Sequence, residues 1–147
     1  MKECPFCQLI NEKEKYLYED ENLIAFLDSH PVTNGHTLIV PKRHISTPDE
    51  LNDNEWKNIF HAFKQIKKLL DLEFHPDGYN FGVNIGEYGG QTVMHVHFHL
   101  IPRYKKDTKI HEGGIRNVIP ERGPYKSLKL TPKNIDDLTK TLKNKRK

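Results

Sequence analysis

Two cysteines, two methionines and one tryptophan are all that this chain of 147 residues holds of those types. Two cysteines cannot build the disulfide framework of a small secreted scaffold, and a chain of this length buries a core without such staples. No apolar run approaches the roughly 20 residues needed to span a bilayer, so no membrane partner is expected. The N-terminal MKECPFCQLI lacks the apolar centre of a secretory signal, which makes a cytoplasmic location the expectation. The formal charge is only +3, part of it in the terminal KNKRK. That excess is too small to argue for a nucleic acid polymer as partner, although it suits a small polyanionic ligand. Internal repeats and low-complexity segments are missing as well, leaving one domain over residues 1–147.

Histidine is what the chain has in an unusual place. Three of its nine histidines, His95, His97 and His99, alternate with single apolar residues in GGQTVMHVHFHLIPR. Val93, Val96, Phe98, Leu100 and Ile101 give the segment the β-branched and aromatic character of a strand. Residues i, i+2 and i+4 of a strand share a face, so the three imidazoles form a row opposite Val96 and Phe98.

Around this row the chain reads as strands with an inserted helix. EKYLYEDENLIAFLD is a hairpin turning at Asp20-Glu21-Asn22, and HTLIVP is a third strand closed by Pro41. Thr47-Pro48-Asp49-Glu50 has the form of a capping box with proline at the first helical position. Trp56, Ile59, Phe60, Phe63, Ile66 and Leu70 follow as one apolar stripe facing a core. HPDG ends that helix, YNFGVNI is a fourth strand, GEYGG a glycine turn, and the histidine row a fifth strand ended by Pro102. Thr131-Pro132 opens a short C-terminal helix carrying Ile135, Leu138 and Leu142 on one face. The order predicts an α+β fold with an antiparallel sheet.

Two chemistries suit the row. Along a strand His95 and His99 lie about 13 Å apart at roughly 3.3 Å per residue, too far for all three rings to share one metal without strain. An H-x-H pair can share one, given zinc–nitrogen bonds of about 2.0–2.1 Å. Alternatively one imidazole, largely neutral near pH 7, attacks phosphorus while its neighbours donate hydrogen bonds to phosphoryl oxygens. The pair Cys4 and Cys7, in C-P-F-C at the N-terminus, reads as half of a metal site rather than as a redox motif between a strand and a helix.

HVHFHLI resembles the signature of the histidine triad nucleotide-binding superfamily. YEDENLIAFLDSHPVTNGHTLIVPKRH is similar to the upstream half of such proteins, and GGQTVMHVHFHLIPR is similar to the fragile-histidine-triad branch of dinucleoside polyphosphate hydrolases. The resemblance covers roughly Cys4 to Arg103. It implies a five-stranded antiparallel sheet with helices, usually paired as a homodimer. It also implies a nucleotidyl hydrolase acting on the α-phosphate of adenine-type nucleotides, with a phosphoramidase and a non-catalytic nucleotide sensor as the alternatives. By the resemblance His97 is the nucleophile, His99 contacts the α-phosphate and His36 is hydrogen-bonded into the row. Asp28 corresponds to the group on the ribose hydroxyls, and Asn84, Gln91 and Thr92 to polar groups near the phosphates and leaving group. Phe6, Leu9 and Phe26 match the apolar slot for the base. Zinc-bearing members of the family join an N-terminal C-x-x-C to two histidines, which here are Cys4, Cys7, His44 and His95. That implies one structural zinc per chain and gives His95 a separate task.

The chain departs from the smaller phosphoramidase members by continuing for 48 residues after His99. Residues 104–147 therefore stand as a C-terminal extension, in which Arg116 or Arg122 is expected either near a distal phosphate or in a segment covering the sheet edge. His30, His61, His75 and His111 are expected to carry no chemistry.

Overall fold

A computed structural model describes residues 3–13, 15–124 and 132–145. Two compact units divide the chain, 1–107 and 108–147. In the first, five strands form an antiparallel sheet: β1 (Tyr18–Glu19), β2 (Leu23–Leu27), β3 (Thr37–Pro41), β4 (Gly78–Val83) and β5 (Phe98–Arg103), in the spatial order β1-β2-β3-β5-β4. The α+β expectation holds. β3 is central and every one of its residues is buried, which explains its nearly uninterrupted apolar sequence.

Each face of the sheet has its own cover. Leu23, Ala25, Ile39, Val96, Phe98 and Leu100 face α2 (Asp53–Phe74) and pack on Ile59, Ala62, Ile66 and Leu70. Ile24, Leu38 and Val40 point the other way and meet Phe6, Leu9 and Ile10 of α1 (Pro5–Glu12). The alternation that sequence suggested for the histidine segment is thereby explained. Val96, Phe98 and Leu100 join the α2 core, and Phe6 on the opposite side meets the rings of His95 and His97.

Three expectations need correction. The capping box of Thr47 and Glu50 exists, but it closes only a single 3-10 turn, because Leu51 turns extended at ψ 141°. α2 starts five residues later than that box, under a second capping box of Asn52 and Glu55. The apolar stripe of α2 is also wider than its core face: Trp56 is 43% and Phe60 63% exposed, while Ala62 lies at the centre. Finally, Pro102 does not end the fifth strand. Pairing with β3 stops at Thr37–Leu100, but pairing with β4 runs on to Gly78–Arg103. The Pro102 carbonyl on the free side accepts from Thr33 Oγ1 at 2.6 Å, and a residue's N–H points to the same side as its C=O, so no ladder bond is lost by having proline there.

α1 is the element that sequence reading missed. Cys4 caps it, its Sγ accepting from Cys7 N–H, and Pro5 occupies the first turn. In the second unit two 3-10 turns (Gly114–Val118 and Pro120–Arg122) precede α3 (Pro132–Lys145), the expected C-terminal helix, whose Leu138 and Leu142 are exposed. Thr131 and the side chain of Ile135 lie outside the described residues. Arg116 donates from Nε to Gly123 O at 3.0 Å and from Nη2 to the Arg122 carbonyl. Among the described residues no helix is long and apolar enough to cross a membrane.

Candidate functional site

Where β5 has not yet begun, the segment from Gln91 to His97 is pinned by other means. Gln91 is 4% exposed, and its side chain is fully engaged with backbone. Its Nε2 donates to Ser46 O and Val93 O, and its Oε1 accepts from Gly86 N–H. Val96 N–H donates to Ile45 O at 2.7 Å. These bonds fasten the histidine segment to the loop after β3, and that loop is held in turn by Arg43, whose guanidinium forks onto the buried Glu55 carboxylate of α2. Only His99 of the row lies in a paired strand.

His97 is the ring whose protonation the backbone dictates. Its Nδ1 stands 2.8 Å from the carbonyl oxygen of His95. A carbonyl can only accept, so Nδ1 carries the proton and Nε2 keeps its lone pair. A second chain of hydrogen bonds sets His99. Val32 N–H donates to His36 Nδ1 at 3.2 Å, which places the His36 proton on Nε2. That nitrogen faces His99 Nδ1 at 2.9 Å and, less closely, Asp28 Oδ2 at 3.6 Å. His99 Nδ1 therefore accepts, and its proton sits on Nε2, a buried atom with no hydrogen-bond partner among the described residues. A buried N–H without a partner is costly, and a ligand oxygen would relieve it.

Charge is kept low in this network. Burial pushes His99 down to about 4, with the neighbouring His97 and His36 rings adding to the shift against a weaker pull from Asp28. His36 is lowered by burial too, again against Asp28. Both rings are thus neutral hydrogen-bonding groups near pH 7. The glycine before His36 is required by geometry: Gly35 sits at φ +91°, and a Cβ there would come within 3.0–3.1 Å of Phe74 and Pro102.

A cleft of about 580 Å³ opens over His97 and His99. Phe6, Leu9 and Phe26 form its apolar part, and Asp28 and Thr92 line it as well. Asp28 Oδ1 accepts from the His30 amide, which leaves Oδ2 toward His36. Asn84 is exposed and lies outside the lining, beside Gly90. Lys15, Ser29 and His30 are lining residues that sequence reading passed over, His30 having been set aside as a loop histidine. The signal for them was positional, since Ser29 and His30 directly follow Asp28.

The second cluster brings Cys4, Cys7, His44 and His95 together, with all four ligand atoms within 4.8 Å of one another. Cys4 Sγ and Cys7 Sγ stand 3.5 and 3.6 Å from His95 Nδ1, Cys7 Sγ 3.3 Å from His44 Nδ1, and the two Nδ1 atoms 3.1 Å apart. A tetrahedral zinc with bonds of about 2.3 Å to sulfur and about 2.0 Å to nitrogen requires sulfur–nitrogen edges of about 3.5 Å and a nitrogen–nitrogen edge of about 3.3 Å. The donor set fits such an ion closely. His95 Nε2 donates to Pro41 O at 2.7 Å, which turns its lone pair on Nδ1 toward the cluster. Burial holds His95 low, hence neutral, and burial together with the Cys4 sulfur pushes the Cys7 thiol up, a shift that a bound cation reverses.

Known proteins resemble this chain in sequence and fold. An uncharacterized HIT-like protein of Methanocaldococcus jannaschii is 45% identical over 119 residues, covering 78% of this chain and 91% of its own. The Bis(5'-adenosyl)-triphosphatase of Dictyostelium discoideum is 30% identical over 139 residues, covering 93% of each. Among solved structures, a HIT family protein of Bacillus subtilis superposes with a TM-score of 0.73 at 33% identity, over 97% of this chain and 96% of that one. A Zn-bound histidine triad family protein of Mycobacterium smegmatis does so with a TM-score of 0.66 at 31% identity, over 75% and 81%. The family model for the HIT domain matches residues 10–106, which span every strand and both hydrogen-bond chains of the histidine row, and the protein belongs to the HIT family.

Proposed function

We propose that the protein hydrolyses nucleotides at the α-phosphorus through a covalent nucleotidyl intermediate on His97, with dinucleoside polyphosphates as the leading substrates. The observation that carries this reading is the pairing of two tautomers. His97 has its lone pair on Nε2, and His99 has an unpartnered N–H on Nε2, in residues that line one cleft. A nucleophile beside a preorganised donor is what phosphoryl transfer requires, because negative charge on the phosphoryl oxygens must be met as the leaving group departs. Nε2 of His97 attacks phosphorus, the leaving group departs from the opposite side, and water then cleaves the phosphorus–nitrogen bond. His36 takes no part in bond making; it holds His99 in the donating tautomer. Asp28 accepts from the ribose hydroxyls, and Phe6, Leu9 and Phe26 take the base. The similarity to the Dictyostelium triphosphatase over nearly the whole chain supports a dinucleoside polyphosphate over a phosphoramidate.

We further propose one zinc ion per chain at Cys4, Cys7, His44 and His95, supported by the donor geometry and by the Zn-bound relative. Four protein ligands leave no open position, so the ion supplies structure, tying α1 to the histidine segment. The active form is a homodimer, in keeping with the sheet edge at β4 and the exposed Trp56 and Phe60 on α2. The test of function is a turnover screen of the zinc-loaded protein on diadenosine tri- and tetraphosphate against adenosine phosphoramidate. Rates at least tenfold higher on the polyphosphates are expected, and a preference for the phosphoramidate would overturn the substrate reading.

A further inference from the structure

Two of the four cluster residues, Cys4 and His44, also face a cleft of their own. This second cleft, of about 570 Å³, runs past Glu3, Cys4, His44 and Met94. Pro5, Thr92 and Val93 line both this cleft and the catalytic one, so the same residues wall the metal ligands and the nucleophile. The two sulfurs are neighbours on the first turn of α1, where Cys7 N–H points at Cys4 Sγ from 3.4 Å, and they lie within 4.8 Å of each other. A disulfide needs about 2.05 Å, so bond formation asks for a movement of no more than about 3 Å.

α1, which starts at the two cysteines, is a short element. It has eight residues, none of them fully buried, and an isolated helix of that length is marginal in water. Its attachments include the apolar contacts of Phe6, Leu9 and Ile10 with Ile24, Leu38 and Val40, the Tyr16 hydroxyl donated to the Leu9 and Ile10 carbonyls at its C-terminal end, and, at its N-terminal end, the cluster shared with His44 and His95. Phe6 lies between the two cysteines in sequence and sets its ring edge-on to His97, with centroids 4.9 Å apart.

We propose that Cys4 and Cys7 are an oxidant-operated release for the metal: a hydroperoxide reaching Cys4 through the second cleft leads, with the adjacent Cys7, to conversion of the two thiolates to a disulfide, the ion leaves, and nucleotide binding in the neighbouring cleft weakens. One thiolate attacks the peroxide oxygen, breaking the O–O bond and forming a sulfenic acid with loss of hydroxide. The second thiolate displaces hydroxide from that sulfur, so two electrons pass from sulfur to peroxide, and two protons complete two molecules of water when the peroxide is hydrogen peroxide. Two imidazoles remain, too few to retain the ion. The first turn of α1 then loses its tie to His44 and His95, while the Tyr16 hydroxyl still holds the other end, and the Phe6 wall of the base slot loosens. The inference rests on the zinc and nucleotide readings above.

The experiment titrates hydrogen peroxide into zinc-loaded protein whose zinc content and affinity for adenosine 5′-monophosphate have been measured in the reduced state. Expected are release of one zinc per two thiols lost, an intact mass lower by two hydrogens, and a Kd for the monophosphate raised at least fivefold. Thiol reductant with added zinc should restore the starting Kd. Met94→Leu should respond as the wild type does, which separates thiol chemistry from oxidation of the half-exposed Met94 in the same cleft. Cys7→Ser should give no loss of two hydrogens. Retention of zinc through full thiol oxidation overturns the proposal, and so does zinc release with an unchanged Kd. Reduced protein without zinc would instead strike at the metal assignment, and reduced zinc-loaded protein without affinity at the nucleotide assignment; either result also removes the proposal.

Discussion

At the scale of single residues, the three histidines of the row are proposed to have three different tasks because each ring meets a different partner. His95 donates to Pro41 O and offers Nδ1 to the cluster, His97 donates to His95 O and keeps Nε2 free, and His99 accepts from His36 and keeps a proton on Nε2. The division is testable residue by residue. His97→Ala should lose at least 10³-fold in turnover, about 4 kcal/mol of barrier, with nucleotide affinity largely kept. Quenched wild-type enzyme should show a nucleotidyl adduct on His97 by mass spectrometry under mildly alkaline conditions. Near-normal turnover by zinc-replete His97→Ala would sink the mechanism. For Asp28, the expectation is a selective one. Asp28→Ala should weaken a ribonucleotide and narrow its advantage over the 2′,3′-dideoxy analogue, since a hydrogen bond to a charged group is worth about 1.5–3 kcal/mol. An unchanged ratio of affinities would remove Asp28 from the ribose site.

At the scale of elements, α1 is where the proposed metal site and the proposed base slot meet, and side-chain substitutions should separate the two. Phe6→Ala removes the ring that packs on His97 and Phe26 but no metal ligand, so zinc content should stay at one per chain while the Kd for nucleotide rises. Cys4→Ser should lower zinc content and thermal stability together. If Phe6→Ala left nucleotide affinity intact, the apolar slot would lie elsewhere. How far these elements could be read in advance depended on what encodes them. The alternation of Val96, Phe98 and Leu100 with three histidines showed which side chains share a face, and that survived although only Phe98–Arg103 pairs as strand. It could not show ladder partners, because those depend on β3 and β4. The signal for α1 lies in Pro5 at the first turn with Phe6, Leu9 and Ile10 spaced as one helical face, a pattern that neither the two sulfurs of C-P-F-C nor the match of Phe6 and Leu9 to a base slot brings out. The two capping boxes at Thr47 and Asn52 are both visible in sequence, and only the extended Leu51 between them decides that the second starts the helix. The proton assignments were not legible at all. They rest on Val32 N–H and on the carbonyls of His95 and Pro41, backbone groups that any residue type supplies.

At the scale of the whole molecule, burying neutral imidazoles makes stability depend on pH in a definable window. His99 is held at about 4 and His36 below its ordinary value of 6.5, both chiefly by burial. In the unfolded chain both rings titrate near 6.5. Above that pH neither state binds the protons, and the rings contribute no pH dependence. As pH falls below 6.5 the unfolded chain takes up protons that the folded protein refuses, so folding loses stability progressively until His99 itself protonates near pH 4. Asp28 opposes the loss by favouring charge on His36 and His99, whereas His97 adds to it at His99. Unperturbed carboxylates titrate near 3.9–4.3, so the interval from pH 6.5 to 5 isolates the imidazoles. The urea midpoint of zinc-loaded protein, in constant excess zinc, should therefore fall between pH 6.5 and pH 5. A His36→Gln, His99→Asn double variant, with amides in place of titratable rings, should show a smaller fall over the same interval. The two proteins differ only at these two rings, so the difference between their falls reports the substitution. Equal falls would mean that the two rings are not held neutral by the fold, and the donating tautomer assigned to His99 would lose its physical basis.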